Sequence, residues 1–333
     1  MSELIDITAF KTFVPGTESL KWEQVKPFIV IAQDKYLKPR IGAELLDDCL
    51  TEYAKGVNDQ DADFKKILPY LQRVVAHYGF ILAIPSVTVN LTGSGLHQIV
   101  GENKKPLFQW QKLDYENLHQ ELAAQAIDDL LKVLAENKAA PFLEDFIETE
   151  EYARIFSSLI NFASEFQQYY NIGSSAKTFQ SLRPIIKEVE EFYIKPSISR
   201  EFFDALIEEL QTNGELSDNN EKLMMWLGPA LCHYTVARSI GRLQVKVTDE
   251  GFMVSSITSS GADASRQLTA ADRSRLDLLR IEALEAGEAF MQNLKKFMND
   301  NANDYAEYKA SDAYTAEDTD TTVNNANTPS ILL

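Results

Sequence analysis

The chain has 333 residues, of which 45% are hydrophobic and 25% charged, with a formal net charge of −18. That length supports two domains with cores of their own, and the acidic balance disfavours sliding on a phosphate backbone while suiting solubility and basic partner surfaces. No run of about 18 apolar residues occurs, so no membrane-spanning helix is expected.

The N-terminus, MSELIDITAFKTF, lacks the basic and apolar regions of a signal peptide, so synthesis in the cytoplasm is expected. The first predicted helix covers WEQVKPFIVIAQDKY, with Pro27 in its first turn or so, where proline is tolerated. It is expected to stop near Lys38, because the residue before Pro39 is pushed out of the α region. Gly42 then sits at an N-cap position. A second helix is predicted over about 43–55, ending at Gly56, and a third over about 64–84. The third is apolar on most sides and so central, with Pro69 able to kink it. SVTVNLTGSG then alternates and is rich in Val and Thr, which predicts a β-hairpin over about 86–101. The loop IVGENKKPLFQWQKL leads to a helix of about 114–137 starting at Asp114, and the aromatic segment FLEDF follows.

The same order then recurs. Tyr36-Leu37-Lys38-Pro39 returns as Tyr193-Ile194-Lys195-Pro196, an offset of 157. Over 26–50 against 183–207, eight positions are identical, including Pro27/Pro184, Ile41/Ile198, Glu44/Glu201 and Asp47/Asp204. Gly42 becomes Ser199, and Cys49 becomes Leu206. Helices are predicted over about 200–212, ending at Asn213-Gly214, over 219–241 with Pro229 inside, and over 270–298 behind a capping box Thr269-Ala-Ala-Asp272. RLQVKVTDEG predicts the second hairpin, about 243–257, and DYAEY matches FLEDF. The fold expected is mainly α: two tandem copies of a helical-bundle unit, each with an inserted β-hairpin. Residues 1–155 are the first copy, 156–314 the second and 315–333 a polar flexible tail. The segment 256–268, rich in Ser, Gly and Ala, is expected to be mobile.

None of the polar residues forms a recognised chemical pattern. His77 and His233 share a repeat position beside Tyr78 and Tyr234, which reads as structural rather than catalytic. Cys232 and His233 are helix neighbours pointing about 100° apart, so they cannot converge as a nucleophile–base pair. The two cysteines, too few for a disulfide framework, read as buried hydrophobes. LTGSGL contains G-x-G between two strand-like flanks and reads as a turn. Glu44/Asp47 and Glu201/Asp204 sit at helix starts, where the dipole favours carboxylates. No catalytic residue, cofactor or metal ligand is expected. The copies differ most around the hairpins, so Phe108, Trp110, Lys104, Lys105, Phe252 and Met253 are the candidate partner contacts.

The stretch FIVIAQDKYLKPRIGAELLDDCL, a helix ending in Tyr-Leu followed by a glycine-started helix, resembles the start of the helical head–tail connector (adaptor) proteins of tailed bacteriophages. The whole chain also resembles structural proteins of similar length encoded by Bacteroidetes phages and prophages. The resemblance implies a homo-oligomeric ring in the virion, made in the host cytoplasm and docked to portal and tail or neck proteins. DNA would pass through without sequence-specific binding, and no membrane would be involved. Connector proteins are usually shorter and single-unit, a departure in this chain. The alternative is a soluble helical enzyme or ligand-binding protein with a site between the halves, near His77 and His233 or the Glu44/Glu201 pairs.

Overall fold

The structure, a computed structural model, describes residues 3–87, 89–92, 95–98, 109–240, 242, 245–248, 251–254 and 270–314. In the strands and at 109–112 and 270–273 it describes the backbone alone. The first unit runs α1 (Ile7–Phe13), α2 (Trp22–Ala32), a π-helical turn (Gln33–Leu37), α3 (Lys38–Ile41), α4 (Ala43–Ala54) and α5 (Ala62–Val87). Strands β1 (Val89–Thr92) and β2 (Gly95–Gln98) pair antiparallel and are followed by α6 (Gln109–Glu136), α7 (Glu144–Ile147) and α8 (Glu150–Ala153). The second unit repeats that order. It has α9 (Ala163–Tyr169), α10 (Ala176–Val189), a π turn (Glu190–Ile194), α11 (Lys195–Ile198), α12 (Arg200–Asn213), α13 (Asp218–Glu221) and α14 (Met224–Ser239). Strands β3 (Val245–Thr248) and β4 (Gly251–Val254), α15 (Ala270–Asp300) and α16 (Ala306–Lys309) complete it.

The first helix of each unit does not stop before its Lys-Pro. Lys38 and Lys195 keep α-helical backbone angles, and the chain turns only at Gly42 and Ser199, whose φ values are 82° and 77°. The π turn explains the difference. The Lys38 N–H bonds to the Gln33 carbonyl five residues back, so the α ladder is already interrupted where Pro39 lacks a donor and needs room for its ring. Ser199 tolerates the left-handed angle because its hydroxyl accepts the Phe202 N–H at 3.1 Å, capping α12.

Other boundaries moved too. The helix expected over 219–241 is divided into α13 and α14. At the break Leu223 N–H bonds to the Asn220 carbonyl at 3.1 Å and Trp226 N–H to the Leu223 carbonyl at 3.0 Å, three residues back in each case, so the α ladder is interrupted there. α5 runs on to Val87 and α6 begins at Gln109 rather than Asp114. By length and apolar content α5 could span a bilayer, contrary to the expectation from its runs, but the apolar window is 61% buried within the protein. Thr269, the 256–268 segment and the tail 315–333 lie outside the described residues.

The two units share one continuous core, from Leu4 and Phe10 through Phe166 and Phe179 to Tyr308. α5 packs on α6 and α14 on α15, and α6 also packs on α10 of the second unit. At that junction the Glu121 carboxylate accepts the Ser175 hydroxyl at 2.8 Å, and Asp128 accepts the Ala163 N–H at 3.3 Å. Equivalent tyrosines stack in both units: Tyr36 on Tyr78 at 3.9 Å and Tyr193 on Tyr234 at 5.0 Å between ring centres.

The start of each unit is tied down in the same way. Leu4 N–H donates to the Gln33 side chain at 2.9 Å, and Leu159 N–H donates to Glu190 at 3.0 Å. Gln33 and Glu190 both head their π turns and are both buried. Leu4 therefore corresponds to Leu159, and Glu3 to Ser158.

Candidate functional site

The repeated acidic pairs stand at the starts of α4 and α12. Glu44 and Asp47 are exposed, as are Glu201 and Asp204. Glu44 lines a cavity of about 530 Å³ between α4 and the α7–α8 segment, with Asp48, Asp145, Glu148 and Glu151 nearby. Glu201 lines the matching cavity of the second unit, about 600 Å³, between α12 and α16, together with Lys195 and Arg200. Glu44 and Glu201 thus line two separate cavities, while Asp47 and Asp204 line neither. Lys195 also reaches Asp204 at 3.3 Å and Glu191 at 3.2 Å, so this copy of the Lys-Pro corner is an ion-paired clasp.

The histidines do not meet either. His77 is buried between α5 and α6, its Nδ1 lying 3.3 Å from Nδ1 of His119, with Phe80 and Tyr115 packed on the His119 ring. With both rings neutral, one can donate to the other, and burial disfavours the charged form of each. Burial first, then His119 and Arg73, lower the His77 pKa to about 4, and burial lowers His119 as well. His233 lies between Tyr170 and Phe290, and its buried Nδ1 has no hydrogen-bond partner among the described residues. The shared repeat position therefore carries two different packing arrangements. The pairing of His77 with His119 had no counterpart in the repeat, since Leu279 occupies the matching position.

Cys49 and Cys232 are both buried free thiols, and burial pushes both well above the ordinary thiol range. Among the described residues no group of three or more His, Cys, Asp or Glu side chains is arranged to hold a metal ion. Of the candidate partner contacts, Lys104, Lys105 and Phe108 lie outside the described residues. Trp110 falls in the first turn of α6, and Phe252 and Met253 fall on β4, each with backbone alone described.

Sequence reading missed an exposed apolar surface. Seven of the twelve large hydrophobic side chains exposed among the described residues lie on α6 and α15: Leu113, Tyr115, Leu118 and Leu122, then Leu278, Leu279 and Ile281. Leu118 and Leu278 hold equivalent repeat positions. The signal available was a leucine pair at i,i+4 on a helix whose buried face is set by Ala123, Ala126, Ile127 and Leu130.

No curated protein and no solved structure matches the chain. One family model does match, over residues 37–154 and again over 194–318. The two matches start at equivalent positions, Leu37 and Ile194, and together cover more than half the chain. On that ground, the chain belongs to the family described as a family of unknown function, DUF6712.

Proposed function

We propose that the chain is a non-enzymatic structural protein of a virion, a head–tail connector or adaptor subunit of a Bacteroidetes-type tailed phage. In this reading it forms a homo-oligomeric ring that docks to portal and to tail or neck components. The observation that carries it is the apolar surface on α6 and α15, the two equivalent helices that follow the strand pairs. Exposed apolar side chains that recur on the same long helix of each unit suit protein partners.

The finer architecture of the proposal is a β-hairpin inserted between the third helix and the following long helix of each unit. These hairpins and their adjoining segments, with Trp110, Phe108, Lys104, Lys105, Phe252 and Met253, make the contacts with neighbours. The net charge of −18 keeps the passing genome from sticking, and neither sequence-specific DNA binding nor a membrane is part of the role.

Mass photometry and negative-stain microscopy of the purified chain, alone and with its cognate portal, test the proposal. Ring-shaped oligomers that disperse on Leu118→Glu or Leu278→Glu are the expected result. A chain that stays monomeric with the portal present and is absent from virions would refute it.

A further inference from the structure

A cavity of about 230 Å³ lies where the two units meet. Its lining includes Pro39 and Arg40 from the end of α3, Arg154 and Ser157 from the segment after α8, and Arg183 from α10. Three guanidinium groups face one space in a chain with 50 acidic and 32 basic residues. The one carboxylate on the lining, Glu151, pairs with Arg154 at 3.4 Å, and Glu150 pairs with the same guanidinium at 2.8 Å.

Arg40 and Arg183 have no ion-pair partner among the described residues. The one hydrogen bond of the Arg183 guanidinium is a long one, 3.5 Å, to the backbone carbonyl of Arg154. Burial first, and then the charge of Arg40, lower the Arg183 pKa, while Asp128 and Glu190 act in the opposite sense. Two like charges lining one cavity, neither with an ion pair of its own, favour an anion that joins them.

The first unit supplies an internal comparison. The residue equivalent to Arg183 is Lys26, and it is neutralised by Glu3 at 3.1 Å. In the second unit the position of Glu3 is held by Ser158, whose hydroxyl is committed to Glu190. Arg40, which stands where the second unit has Ser197, adds a further positive charge. At Arg183 the direct counter-ion that Lys26 has in Glu3 is absent, and Arg40 of the first unit stands nearby.

We propose that this junction cavity is a binding site for a phosphate oxyanion, free or carried as the terminal group of a small phosphomonoester, held between Arg40 and Arg183. Guanidinium groups present paired N–H donors that match phosphate oxygens. The cavity leaves room for waters of about 30 Å³ each around the anion. Because Arg40 and Arg183 come from different units, the bound anion ties the two halves together. The inference does not depend on the connector reading and holds for a monomer or a ring.

The test is calorimetric titration of the full chain with inorganic phosphate and, separately, with glycerol 3-phosphate, at constant ionic strength set with sodium chloride. Binding in either arm is expected and tells which form of phosphate the site takes. Arg40→Gln and Arg183→Gln should each weaken binding about tenfold or more, whereas Arg200→Gln, far from the cavity, should leave it unchanged. Arg40 is only half-buried at a helix end, so its variant keeps the test open should Arg183→Gln fail to fold. Absence of heat in both arms with wild-type protein, or equal affinity in folded Arg40→Gln, would overturn the proposal.

Discussion

Replacing Glu190 by alanine tests whether the residue heading the second π turn holds the start of its unit. The side chain is 2% exposed. One carboxylate oxygen accepts the Leu159 N–H at 3.0 Å and the Ser158 hydroxyl, and the other lies 3.2 Å from Lys187 Nζ. Truncation leaves two buried donors without an acceptor. A hydrogen bond to a charged group contributes about 1.5–3 kcal/mol, and an orphaned buried donor costs about 1–3 kcal/mol. These contributions overlap, so Glu190→Ala should lose about 3–5 kcal/mol. Glu190→Gln keeps the accepting oxygen and reproduces what the first unit has in Gln33, so its loss should be about 1 kcal/mol. Urea unfolding followed by far-ultraviolet circular dichroism measures both, with the slope against urea as the check that the same transition is compared. A loss below about 1 kcal/mol for the alanine variant, or equal losses for the two variants, would refute the reasoning.

Three further outcomes follow from packing and titration. A Cβ at Gly228 would stand 2.5 Å from the Tyr169 ring, so Gly228→Ala should cost about 1–3 kcal/mol although alanine is the better helix former. A raised thermal midpoint would contradict the close approach. His77, with its folded value near 4 against an ordinary 6.5, binds its proton more weakly in the folded than in the unfolded state. Its contribution is therefore complete above pH 6.5 and is lost as the pH falls toward 4, at up to about 1.4 kcal/mol per pH unit. His77→Leu should flatten that slope in urea titrations between pH 7 and 4.5, and an unchanged slope would count against it. Ellman's reagent should label neither Cys49 nor Cys232 in the native protein and both in guanidinium, because burial keeps the thiols protonated and out of reach.

Much of the helical order was legible because the chain states it twice. Tyr36, Lys38 and Pro39 against Tyr193, Lys195 and Pro196 fix the register, and from it the roles of Gly42 and Ser199 at the helix starts follow. What misled the reading was a local rule applied without its neighbours. A residue before proline avoids the α region unless the preceding turn is wide, and nothing in QDKYL or EEFYI by itself announces a π turn. The division of α13 from α14 rests on a turn of i→i−3 backbone bonds at Leu223 and Trp226, which no periodicity reveals. The junction cavity was half legible. The replacement of Lys26 by Arg183 could be read in the alignment, but the match of Glu3 with Ser158 came from the hydrogen bonds of Leu4 and Leu159, and the approach of Arg40 to Arg183 depends on how the two units dock. The His77–His119 contact likewise comes from the pairing of α5 with α6, across 42 residues of sequence.

The paired π turns also mark the corner they build. A π turn is an α-helix with one residue inserted, and both copies carry that insertion at the same place, before the same Lys-Pro. Two copies of one unit that already carried the insertion would show this pattern. The stacked tyrosines belong to the same corner. Glu3 against Ser158 and Gln33 against Glu190 are where the halves part company. The molecule therefore holds a corner that both halves keep and a distribution of charge at the seam that they do not share.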